Sequence, residues 1–109
     1  MTVAEVLEQI RGGKNLAGAD LSGLDLSGQD LRNAKFAGAN LKGCDLEDSD
    51  LRGAVLNEAD LSFANLTHTD LRGASLKRAN LTRAIRTGAK IRKWALKKAY
   101  ITGETAYRS

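Results

Sequence analysis

The chain has 109 residues, 42% of them hydrophobic but only 5% aromatic and none proline, so it suits one small domain whose interior is not filled by large rings. Cys44 is the only cysteine, which excludes an intrachain disulfide, a cysteine zinc cluster and a CxxC redox pair. The net charge of +4 hides a division: residues 1–71 carry 12 acids against 6 Lys/Arg, net −6, while residues 72–109 carry 11 Lys/Arg against Glu104 alone, net +10, which makes the molecule an electrostatic dipole.

The opening segment, residues 1–13, predicts a capping helix. Thr2-Val3-Ala4-Glu5 forms a capping box, and Val3, Val6, Leu7 and Ile10 follow at i, i+3, i+4 and i+7 before Gly12-Gly13 stops the helix. An amphipathic helix over 3–11 would lay its apolar face on whatever follows. With Glu5 and Glu8 and no apolar run, this segment resembles neither a secretory signal nor a membrane span, so the cytoplasm is the expected location.

Residues 14–103 form the repeat region, regular to about 83 and irregular and basic over 84–103, with 104–109 as a tail. A large apolar residue recurs every five positions: Leu16, Leu21, Leu26, Leu31, Phe36, and so on without a miss to Leu81. Two positions before most of these stands a small residue, such as Ala34, Ala39, Cys44, Ser49, Ala54, Ala59 or Thr69. A helix cannot use this period, because five steps of ~100° advance each leucine by ~140° and scatter the set. A flat strand fails too, since an odd repeat throws successive leucines to opposite faces. The chain must therefore turn a corner every five residues and point each central residue into a common interior. Arginine follows the central residue only at Arg32, Arg52, Arg72 and Arg92, spaced by twenty, which indicates four quintets per coil.

Quintets such as AGADL, AGANL and NEADL, with LRGASL and LKRANL, resemble the pentapeptide-repeat family, whose motif is approximately A(D/N)LXX, over residues 15–83. The resemblance implies an all-β solenoid: a right-handed quadrilateral β-helix of four to five coils, with the central residue and the one two before it facing inward. Coils would stack ~4.8 Å apart. Under that assignment Leu51→Lys or Ala54→Trp should disrupt the middle coil, whereas Ser62→Lys, expected outward, should be nearly neutral.

The last part of the repeat is expected to be irregular, because Arg86 takes a central position where burying a charge costs on the order of several kcal/mol, and the coil should loosen there. The phase nevertheless survives in Ala89-Lys90-Ile91, Trp94-Ala95-Leu96 and Ala99-Tyr100-Ile101, favouring a further coil over a basic helix spanning 89–100. Trp94 is too large for the small inward site, so it either plugs the end or lies on a partner.

For chemistry the sequence offers little. His68 and Asp48, twenty apart, should meet on a convex surface with no cleft to hold a substrate, and Cys44 fills a small inward slot. No catalytic residue, cofactor, metal site or small-molecule substrate is assigned. The Asp/Asn columns, such as Asp20, Asn40, Asp60 and Asn80, serve solubility. Asp30, Asp50 and Asp70 run beside Arg32, Arg52 and Arg72, either as self-compensating pairs or as an arginine ladder that recognises phosphates or carboxylates.

The leading expectation is a non-enzymatic scaffold whose rigid faces meet another protein, as a monomer or weak homodimer. The resemblance also implies imitation of duplex DNA at gyrase and related topoisomerases, and dimerisation through C-terminal coils. A further alternative is binding of nucleic acid or an anionic surface through Arg83, Arg86, Lys90, Arg92, Lys93, Lys97 and Lys98, interleaved with Trp94 and Tyr100. The interaction residues singled out are Arg32, Arg52, Arg72, Arg92, Lys93, Trp94, Lys97, Lys98 and Tyr100.

Overall fold

The computed structural model describes residues 1–100. The expected end of the repeat at 103 and the tail at 104–109 lie outside them. The chain winds into a right-handed, four-sided coil capped at its start by a helix, within an envelope of 34 × 21 × 20 Å.

Each side is built on single-residue parallel bridges between positions twenty apart. The first side stacks Asn15, Lys35, Val55 and Ser75, and the second stacks Asp20, Asn40, Asp60, Asn80 and Tyr100. The third stacks Asp25, Asp45, Asn65 and Ile85, and the fourth Asp30, Asp50, Asp70 and Lys90. Each bridge residue pairs with the coil before it and its two neighbours with the coil after: Asn40 N donates to Ala19 O and Asn40 O accepts from Leu21 N, both at 2.8 Å, while Ala39 O accepts from Asp60 N at 2.9 Å and Leu41 N donates to Asp60 O at 2.8 Å. Backbone polarity is thus satisfied between stacked coils among the described residues.

A corner follows every central residue. The small residue opening the next side donates its N–H to the preceding central carbonyl, as Ala59 N does to Leu56 O at 3.0 Å. The second of the two residues between them sits at positive φ, the third position of a type II turn. Every fifth residue from Gly13 to Gly88 adopts this conformation, nine of them glycines and seven not.

Inside, the central residues form four ladders in which Leu21, Leu41, Leu61 and Leu81 are fully buried, as are Phe36 and Leu56. Each such side chain contributes roughly 2 kcal/mol of burial, and the alanines beside them leave just enough room for the narrow coil. Hydroxyls enter this interior only with a partner: Ser49 Oγ and Thr69 Oγ1 both donate to Leu46 O at 2.7 Å.

The cap is α1, Val3–Arg11. Thr2 Oγ1 accepts from Glu5 N at 3.2 Å while Glu5 Oε1 accepts from Thr2 N at 2.8 Å, and these bonds hold the Glu5 carboxyl below its ordinary range. The helix buries Val6 completely and lays Val3, Leu7 and Ile10 on the core.

Three expectations change at the far end and on the surface. Arg86 does not loosen the coil: it points inward above Leu66, is 3% exposed, and the bridges at Ile85 and Lys90 continue past it. Burial lowers its pKa. Trp94 is no plug, being 61% exposed. It falls on the small-residue position beyond Ala34, Ala54 and Ala74, where an indole does not fit. The chain winds instead through α2, Lys93–Leu96, a single turn that swings Trp94 out and brings Ala95 in at 1% exposure. Coil geometry then resumes, with Arg78 N donating to Lys98 O at 2.8 Å and Tyr100 N to Ala79 O at 2.7 Å. Ser62, expected outward, is 5% exposed, in a middle coil with residues of the coils on either side of it, and its hydroxyl donates to Asp60 Oδ1 at 2.5 Å.

Candidate interaction faces

On every side the residue before the central one and the two after it face outward. The Asp/Asn columns turn out to be structural as well as solubilising: each side-chain oxygen caps the backbone N–H two residues on, as Asp60 does for Ser62 at 2.9 Å and Asn65 for Thr67 at 3.1 Å. Ser22 and Ser27 add hydroxyl bonds to Asp20 and Asp25, and these bonds hold both carboxyls below their usual range.

The fourth side carries the arginine column. Arg32 reaches Asp30 through Nη2 at 2.8 Å and Nε at 2.9 Å, Arg52 reaches Asp50 at 2.7 and 2.9 Å, and Arg72 reaches Asp70 at 2.6 and 2.9 Å. Adjacent rungs also approach, with Arg32 Nε 4.0 Å from Asp50 and Arg52 Nε 3.8 Å from Asp70. The guanidinium hydrogen bonds bring Asp30 and Asp70 down to about 2. The arginines are correspondingly raised. Half-exposed pairs of this kind contribute about 0–1 kcal/mol each, so the ladder orients side chains more than it stabilises the coil.

Arg92 is the fourth member by spacing but not by contact, since Lys90 stands where its aspartate should be. Among the described residues, Arg92, Lys93, Lys97 and Lys98 form no ion pair. These cations, with Trp94 and Tyr100, are all exposed around the last coil, so the structure brings the basic candidates into one region and keeps the Arg32–Arg52–Arg72 column as a separate, neutralised stripe.

The sequence reading missed the exposed apolar side chains. Phe63 is 54% exposed at a corner with φ 60°, and Lys42 Nζ lies 5.8 Å from its ring centroid. Ile85, 47% exposed, stacks on Asn65, two residues beyond Phe63, and Val55 interrupts the polar column of the first side. The signal was in the phase: a bulky apolar residue at a position reserved for glycine or polar groups.

The remaining candidates are chemically quiet. Cys44 is buried with Sγ 2.9 Å from Leu21 O, and burial pushes its thiol pKa up. His68 Nδ1 lies 3.6 Å from Asp48 Oδ1 on an open corner, with its ring over Gly88. Among the described residues no His/Cys/Asp/Glu cluster is arranged to hold a metal, and no helix is long and apolar enough to cross a membrane.

The family model described as pentapeptide repeats matches eight copies across residues 15–48, 34–73 and 59–93. Among solved structures, a pentapeptide repeat protein from Nostoc PCC 7120 is 34% identical, with a TM-score of 0.82 over 94% of this chain and 88% of its own. One from the cyanobacterium Cyanothece 51142 is 36% identical, with a TM-score of 0.69 over 82% of this chain and 57% of its own. A third, from the Arabidopsis thaliana thylakoid lumen, is 31% identical, with a TM-score of 0.52 over 94% of this chain and 86% of its own. Among curated proteins there is no significant match.

Proposed function

This chain belongs to the pentapeptide-repeat family, and we propose that it is a non-enzymatic interaction module that docks another protein on its rigid flat faces. Proteins of this family generally serve as structural or interaction modules. The observation that carries our proposal is Phe63. A ring half-exposed at φ 60° strains the backbone and leaves apolar surface in water, two costs that glycine at the same corner would avoid. Aromatic anchors of this kind are what protein partners desolvate, and Ile85 extends the patch.

Mimicry of duplex DNA at a topoisomerase draws less support. The acids of the fourth side are each matched by an arginine, and the far end of the molecule is strongly basic. We propose the cytoplasm as its location and a monomer as its resting state, the latter because two basic ends repel.

The test is capture of partners from a bacterial lysate at high salt, using the native protein, Phe63→Gly and a Lys93/Lys97/Lys98→Glu variant. A protein retained by the charge variant and lost by Phe63→Gly is the expected result. Identical capture by native protein and Phe63→Gly would overturn the assignment.

A further inference from the structure

The fourth side changes character at one residue. Its outward bridge position is Asp30, Asp50, Asp70 and then Lys90. The lower rungs show what that position does: its carboxylate binds the arginine of its own rung at 2.6–2.8 Å. It also approaches the arginine of the rung beneath at 3.8–4.0 Å. A carboxylate at position 90 would therefore hold Arg92 and face Arg72. Instead a third cation stands there, and the nearest acid of the column, Asp70, which also faces Lys90, is already bonded to Arg72 and approached by Arg52. Lys90, Arg92 and Lys93 are exposed, and Trp94 follows directly with its indole 61% exposed.

We propose that this fourth rung is an oxyanion-binding site, formed by Lys90 and Arg92 and flanked by Lys93 and Trp94. It takes a phosphodiester of single-stranded nucleic acid, with a neighbouring base stacked on the indole. The site is separate from the Phe63 corner and stands or falls independently of it. A carboxylate would also satisfy the cations, but the outward indole favours nucleic acid, because every base offers a π-face and guanidinium forks match phosphate oxygens. Single strands are favoured over duplex, since a base reaches the indole only when it is free of its own stack. Lys97, on the other side of α2, continues the cationic track onto the first side.

Lys90→Asp supplies the experiment, because it restores the family motif in the quintet that holds Ala89 and Ile91 and places an internal carboxylate where the ligand's oxyanion would sit. Lys35→Asp makes the same charge change at a bridge position of the first side, remote from the rung. Binding of a labelled oligothymidine of about fifteen nucleotides is followed by anisotropy at low salt, together with the fluorescence of Trp94, the only tryptophan in the chain. The native protein should bind with quenching. Lys90→Asp should weaken binding by about tenfold or more, Lys35→Asp by no more than about twofold, and Trp94→Ala by roughly tenfold. Equal weakening by the two aspartate variants would reduce the effect to overall charge and overturn the site. Unquenched binding, or equal affinity for duplex of the same length, would overturn the single-strand assignment. Competition by polyglutamate as effective as by oligothymidine would replace nucleic acid with an acidic protein segment.

Discussion

Phe63 shares its corner column with Gly23, Gly43 and Arg83, all at positive φ. A non-glycine residue there costs about 1–2 kcal/mol, partly offset by the greater freedom that glycine loses on folding, about 0.5–1 kcal/mol. Phe63→Gly is therefore expected to raise stability by about 0.5–1 kcal/mol, read as a higher urea midpoint at unchanged slope, while partner capture falls. Residues that gain stability and lose function on the same substitution are the ones to suspect of contact. In the interior the opposite holds. Leu51→Lys places a charge in a fully buried ladder and Ala54→Trp overfills a fully buried slot, so both should cost several kcal/mol, on the order of 3 or more, in thermal or urea unfolding. Ser62→Lys is expected to cost about 1 kcal/mol, the worth of its bond to Asp60, rather than nothing. The five-residue period was enough to assign Leu51 and Ala54 inward. It could not reveal Ser62, which is concealed at an outward phase where Ser22, with the same hydroxyl bond, is exposed.

Of the two helices among the described residues, α1 was legible and α2 was not, for physical reasons. Thr2 and Glu5 cap each other locally and the apolar spacing of Val3, Val6, Leu7 and Ile10 has no rival period, so α1 follows from short-range pattern. Thr2→Ala should lower stability by about 1 kcal/mol if closure of the first coil is cooperative with the rest, measured as a lower urea midpoint. Around α2, helix propensity and coil phase fit the same residues, and what decides is the clash of an indole with the alanine column beneath it, a through-space contact twenty residues away. The arginine ladder was legible in spacing but not in its ending at Lys90, because a lysine at that phase looks like any surface cation until the rungs below show what it displaces. The ladder also sets a pH response. Asp30 and Asp70 titrate at about 2 in the folded chain, below the ordinary carboxylate value of 3.8. Their contribution is thus complete above about pH 4 and lost as pH falls through 2, with stability rising with pH across that window. Melting followed from pH 5 to pH 2 should show a decline that Asp30→Asn/Asp70→Asn blunts, and added salt should shrink the difference because the pairs are exposed.

Across the described residues, the division into a net −6 segment, 1–71, and a net +10 segment, 72–100, lies along the coil axis, since residue order and coil order coincide. Sedimentation at low salt should therefore show a monomer. A dimer that grows as salt is raised would indicate pairing of basic ends once their repulsion is screened, whereas dissociation on raising salt would indicate that opposite ends attract.

The bond from each residue to the one twenty positions on gives the protein a quantised length. Deleting one residue from the middle would throw every later leucine out of the interior, whereas copying twenty residues, for instance 35–54, would add one coil and leave all phases intact. Each such copy would move the basic end ~4.8 Å further from the helical cap without changing the chemistry of either. The fold is in that sense a molecular spacer gauge, in which the distance between the cap and the basic end can be lengthened or shortened in fixed steps while the two are inherited unchanged.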